Sequence, residues 1–210
     1  MTLAIAVHSL PAAALTDPTL ADWARAHSVS VTAHDDRDLD LMRRHRIRPF
    51  QVVYRCGPDS AVTRRAVGLG VRRFIVGTAH QIARLDECAD GTKYLYLDDR
   101  APLMLGDRHL KVIGLHADVA DAAATDEWAA AAVGLVRRAA VLQACGSTVK
   151  RIALSGGSTG LWLDDHRRAA TIVDVVDQAV CQECDRSHLP RPVVTMTPLT
   201  ADRGDGAHPA

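Results

Sequence analysis

Aromatic side chains are scarce: three Trp, three Tyr and two Phe make up 4% of the 210 residues. So few rings leave no stacking platform for single-stranded nucleic acid. Neither sign of charge is in excess, because 25 Lys plus Arg balance 25 Asp plus Glu. A chain of zero formal net charge offers no electrostatic footprint for nucleic acid or for an anionic membrane. It also has little repulsion to keep copies apart, so homo- or hetero-oligomers are open to it. No apolar run approaches the ~20 residues that cross a bilayer. The apolar opening, Leu3 to Leu15, lacks a preceding basic stretch and is interrupted by His8 and Pro11. It reads as a buried first strand and a loop rather than as a secretion signal. The five cysteines, Cys56, Cys88, Cys145, Cys181 and Cys184, are odd in number and lie on helix-like or strand-like segments. That favours a reducing, cytoplasmic setting over a disulfide framework. Cys181 and Cys184 form a CxxC close to His188, but no second pair completes four ligands, so no metal site is expected.

What is present is alternation. Short β-branched apolar runs are followed by longer amphipathic ones, as in βα units around a parallel sheet. Strands are expected at Leu3–Val7, Val29–Ala33, Gln51–Tyr54, Arg73–Val76, Tyr94–Leu97, Lys111–Leu115, Arg151–Leu154 and Pro192–Met196. Their nearly continuous apolar character suits burial on both faces. Helices are expected from Asp17-Pro18 to His27 and over Asp36–His45, Ser60–Leu69, Thr78–Cys88, Thr125–Cys145 and Asp165–Arg186. Asp17, Ser60 and Thr125 are expected as caps and Gly70 and Gly146 as C-terminal stops. Eight strands with intervening helices predict a (β/α)8 TIM-type barrel, shortened or irregular near residues 98–110, where Pro102 and Gly106 break any helix. Residues 1–200 read as a single domain and the Gly/Asp/Ala-rich residues 201–210 as a disordered tail.

Active sites of such folds gather where strands end. The residues there are His8, Ser9, His34, Arg55, Gly77, Asp98, Asp99, His116, Asp118, the loop Ser155–Gly160 and Thr197–Thr200. In the loop, three glycines and three hydroxyls follow a strand within six residues. Ser155, Gly156, Gly157 and Ser158 could cradle a phosphate or carboxylate with backbone N–H groups, and a tight turn would need the same glycines. His116 and Asp118 are two apart on one strand and share a face, which suits acid–base work, a metal or a local hydrogen bond. His8, at the end of the first expected strand, is a third such residue. Asp98-Asp99-Arg100 reads as a solvated turn. The arginines between Arg43 and Arg48 read as a helix end and loop.

The order of these elements resembles the pyridoxal-phosphate (PLP) dependent decarboxylases that share the alanine-racemase-like barrel, such as diaminopimelate and ornithine decarboxylases. Val53 to Leu85 is similar to that family's third and fourth βα units. Val112 to Val119 is similar to its paired-histidine strand, Ile152 to Gly160 to its glycine phosphate loop, and Leu189 to Thr200 to the segment ending in its Glu-Pro-Gly-Arg. The resemblance implies the barrel, amino-acid chemistry and cofactor contacts from Ser155, Gly156, Gly157, Ser158 and His116.

The departures alter that expectation. His8 stands where the family has its Schiff-base lysine, and an imidazole forms no internal aldimine. Asp118 stands at the second histidine's place, Thr197 at the glutamate's and Thr200 at the arginine's. The only lysines, Lys93, Lys111 and Lys150, precede or open strands, on the face opposite the usual site. The expectation is a degenerate homologue, a pseudoenzyme without bound PLP, that takes a small anionic ligand or a protein partner. The alternatives are an enzyme with a new site at the barrel mouth built from His8, His116 and Asp118, or a residual PLP-binding lyase.

Overall fold

The computed structural model describes residues 9–106, 108–120 and 123–201. Its strands are β1 (Ser9–Pro11), β2 (Ser30–Ala33), β3 (Val52–Arg55), β4 (Arg73–Val76), β5 (Lys93–Asp98), β6 (Leu110–Asp118), β7 (Arg151–Ser155) and β8 (Val193–Thr197). All neighbours pair in parallel in the order β1 to β8. β8 returns beside β1, but no ladder joins these two among the described residues. The result is a nearly closed TIM-type barrel, as the alternation predicts.

The outer helices are α1 (Pro18–Ala26), α2 (Asp36–Arg44), α3 (Ser60–Gly68), α4 (Ala79–Cys88), α5 (Thr125–Ala144), α6 (Thr159–Leu163) and α7 (His166–Ser187). Asp17 caps α1 as expected, accepting from the Thr19 amide. Two caps differ from expectation. Asp59, not Ser60, caps α3 by accepting from the Ala61 amide, and both residues are good cap formers, so spacing alone does not choose between them. Thr125 is the first residue of α5 and not its cap; the Glu127 side chain accepts from the Ala124 amide instead. Gly70 and Gly146 adopt positive φ at helix ends. The stretch between β5 and β6 forms no helix among its described residues, so the irregular unit falls where Pro102 and Gly106 place it. The expected strand Leu3–Val7 lies outside the described residues, as do positions 202–210 of the expected tail.

Side chains alternate along each strand. One set packs beneath the helices, with Leu10, Val31, Phe74, Leu95, Leu115 and Leu154 almost fully buried. The other set points into the barrel. There Val53, Ile75 and Tyr96 form a small apolar cluster with Ile113 and Ala153. Tyr96 lies across β6 where a Cβ on Gly114 would come within 2.6 Å of its ring and 2.9 Å of the Arg151 carbonyl. Glycine is therefore needed there, beside the register shift that joins β5 to β6. Ser9, Ser30, Thr32, Ala153 and Thr195 are too small to fill their half of the interior, and a cavity of about 330 Å³ remains. Here the strands are not apolar on both faces. Hydroxyls take the inner positions, whereas barrels of this type are usually packed with branched apolar side chains.

Candidate functional site

The inner residues at the C-terminal ends of β3, β5, β6, β7 and β8 form one connected polar chain. Arg55 donates from Nη1 to Asp118 Oδ1 at 2.8 Å and from Nη2 to Asp98 Oδ2 at 3.0 Å, and a further bond joins Nη2 to Asp118 Oδ2. His116 Nδ1 lies 3.2 Å from Asp98 Oδ2 and its Nε2 lies 2.9 Å from Ser155 Oγ. Ser155 Oγ is 2.9 Å from Thr197 Oγ1. A carboxylate only accepts, so Nδ1 donates to Asp98, and in the neutral ring Nε2 accepts from the Ser155 hydroxyl. The single Thr197 hydroxyl proton is shared between Ser155 Oγ and the Leu154 carbonyl, 3.5 Å away. Ser, His and Asp thus stand in the order used to activate a hydroxyl nucleophile.

His116 is 1% exposed and the Asp98 side chain 15%, so these contacts act in a medium less polar than water. Burial alone would disfavour a charged Asp98. Hydrogen bonds from His116 and Asp99 and the charge of Arg55 outweigh it and hold the carboxyl well below the usual range. Asp99 is pushed the other way, by burial and by its bond to Asp98. Burial works against the charge on Arg55 as well, yet its bonds to Asp118 and Asp98 hold it firmly protonated. His34, near the same mouth, is lowered by burial and by Arg55.

His116 and Asp118 lie side by side as their spacing implies, but Asp118 is not the carboxylate hydrogen-bonded to His116. Both residues do share a face, but Asp118 belongs to Arg55, and its oxygen lies 3.6 Å from His116 Nε2. The carboxylate bound to His116 is Asp98. The Asp98-Asp99-Arg100 segment is therefore no mere solvated turn, since Asp98 anchors the centre of the site. Arg55 and Asp98 lie 43 residues apart, too far for sequence spacing to join them. Their common signal was a strand-end position on the inward-facing set. His8 lies outside the described residues.

The glycine loop does two jobs of packing. The Gly156 amide donates to the Thr197 carbonyl at 2.9 Å, and the Thr159 amide to the Thr200 carbonyl at 3.0 Å. Both tie β7 to β8. A Cβ on Gly156 would sit 2.6 Å from the Val119 carbonyl and 2.8 Å from the Trp128 ring, while Gly157 holds a left-handed φ of 68°. Trp128 and Trp162 meet edge to face over this loop, 5.5 Å apart, and Trp162 Nε1 donates to the Gly156 carbonyl at 2.8 Å. Ser158 caps α6, a helix that the loop reading missed, through the Leu161 amide. Among the described residues the amides of Gly157 and Ser158 donate to no backbone acceptor.

The pyridoxal phosphate that the sequence resemblance implies would need an amine at this mouth. Lys93, Lys111 and Lys150 are the chain's only lysines. Lys93 opens β5 and is ion-paired with Asp90, Lys111 lies near the start of β6, and Lys150 immediately precedes β7. All three sit at the opposite end of the barrel. The described residues therefore do not fit a Schiff-base cofactor. No group of three or more His, Cys, Asp or Glu among them is arranged to hold a metal. Cys181 and Cys184 are turns of α7. No helix among the described residues is long and apolar enough to cross a membrane.

No protein-family model matches the chain, and no curated protein does. Solved structures match the fold. Diaminopimelate decarboxylase from M. jannaschii, in co-complex with L-lysine, superposes with a TM-score of 0.72 at 10% identity, over 90% of this chain and 52% of that one. The Paramecium bursaria Chlorella virus arginine decarboxylase gives 0.71 at 11% identity, over 91% and 57%. Lysine decarboxylase from Selenomonas ruminantium gives 0.65 at 15% identity, over 91% and 55%. The chain thus has the barrel fold of these decarboxylases and spans little more than half their length.

Proposed function

We propose that this chain is a decarboxylase-type barrel that has left pyridoxal-phosphate chemistry and binds a small anionic ligand without covalent attachment. The observation that carries the reading is the placement of all three lysines at the strand N-terminal ends. No amine among the described residues can capture an aldehyde at the mouth, and electron-sink catalysis starts from that capture. The Arg55–Asp98–Asp118 bridge supports the reading further, because it ties the mouth's arginine to two carboxylates. The Gly157 and Ser158 amides and the Ser158 hydroxyl are the donors offered to the ligand, and His116 would fix the floor beneath them.

The purified protein is incubated with pyridoxal phosphate, reduced with borohydride and mapped by mass spectrometry. No lysine adduct is expected at the mouth, and phosphate is expected to raise the melting temperature. A stoichiometric aldimine absorbance band in the protein as purified would overturn the first half. An absence of any phosphate-dependent shift would overturn the second. Native mass on the same sample would reveal a protein partner instead.

One observation favours a second reading. Ser155, His116 and Asp98 stand in hydrogen-bonded series beside the interior cavity, which suits acid–base or nucleophilic chemistry. Labelling of Ser155 by a fluorophosphonate, lost in His116→Ala, would establish it.

A further inference from the structure

At the other end of the barrel a second cavity of about 590 Å³ opens where the strands begin. Arg72, Arg73, Lys111, Lys150 and Arg151 line it, and among the described residues no acidic side chain does. None of the five takes part in an ion pair among the described residues. Asp90, which feels the charge of Arg72, is paired with Lys93. Arg73 and Arg151 also line the interior cavity, so the two spaces meet at this pair. Arg73 donates to the Phe50 carbonyl at 2.5 Å, which leaves the rest of its guanidinium facing the cavities. Arg73 is half-buried and Arg151 exposed, and the Arg73 charge is disfavoured by burial and by Arg151. Phe50, 55% exposed, and Tyr94 supply an apolar wall beside them.

We propose that this floor of the barrel is a binding site for a small phosphate ester with an apolar or aromatic body. The phosphate would bridge Arg73 and Arg151, whose planar forks match its oxygens. Lys111 and Lys150 would add charge at the rim, and Phe50 and Tyr94 would take the body. The bound phosphate would supply the counter-charge that the protein does not. The site uses none of the mouth residues, so it stands or falls separately from the reading above.

The test is calorimetric titration of phenyl phosphate into the untagged full-length protein at physiological salt. Saturable one-to-one binding is expected, and phenol, the same ring without charge, should give none. Replacing both arginines, Arg73→Gln with Arg151→Gln, should weaken binding at least about tenfold, as expected for losing hydrogen bonds to a charged group. Lys111→Gln with Lys150→Gln changes only exposed side chains and should weaken it severalfold, which keeps the test decisive if the arginine variant fails to fold. Arg167→Gln, on α7 away from the floor, should bind as the parent does. The proposal is overturned if the parent shows no saturable binding, if phenol binds as well, if the lysine variant keeps parental affinity, or if Arg167→Gln loses as much.

Discussion

Replacing Asp98 by Asn keeps the shape of the site and removes one charge. The amide oxygen can still accept from His116, but it no longer offers a negative charge to Arg55. In the parent the Asp98 carboxyl is held below its ordinary value of 3.8. Each unit of depression is worth about 1.4 kcal/mol, and a carboxylate beside an arginine is typically lowered by about one to three units. Asp98 is mostly buried, so about 2 kcal/mol of stability at neutral pH is expected from it. In a chain of this length that corresponds to roughly 4–8 °C in melting temperature. The sign with pH follows from the direction of the shift. A depressed carboxyl stabilises the fold above its ordinary value and loses that contribution as pH falls through the lower folded value. Urea denaturation of parent and Asp98→Asn from pH 7 downwards should show a gap that is constant above about pH 5 and closes below 3.8. Equal stability at pH 7, or a gap that stays the same in acid, would refute the electrostatic account of the site.

Gly114→Ala should destabilise the barrel by about 1–3 kcal/mol in the same assay, because its methyl has backbone on one side and the Tyr96 ring on the other; parental stability would show that β6 yields freely. Ser155→Ala leaves the buried His116 Nε2 without a partner and should cost about 1–3 kcal/mol. Ser155→Thr, which keeps a hydroxyl, should recover part of that loss, and no difference between the two would place the effect in packing.

The barrel was legible because most strands are short apolar runs, and the limits of six of them fall within a residue of expectation; β6 runs three residues further than expected and β1, at Ser9–Pro11, lies beyond the expected Leu3–Val7. The inner lining was not, although the clue was there. Ser30 and Thr32, Thr195 and Thr197 recur at the strand period, and hydroxyl residues suit strands on either face. The site was legible in part. Strand ends pointed to Arg55, Asp98 and His116 separately, but which carboxylate meets which base depends on pairings across 43 and 63 residues. Spacing favoured Asp118 for His116 because two residues on one strand are visible, whereas neighbours on adjacent strands are not. The floor had a plainer signature. Arg72-Arg73, Lys111 and Lys150-Arg151 all stand where β4, β6 and β7 begin, and separate strand starts converge once the sheet closes.

Among the described residues each strand from β2 to β7 has a parallel neighbour on both sides, whereas β1 and β8 are laddered on one side only. Deuterium should therefore enter last at β4 and β5, which sit in the middle of this run of paired strands.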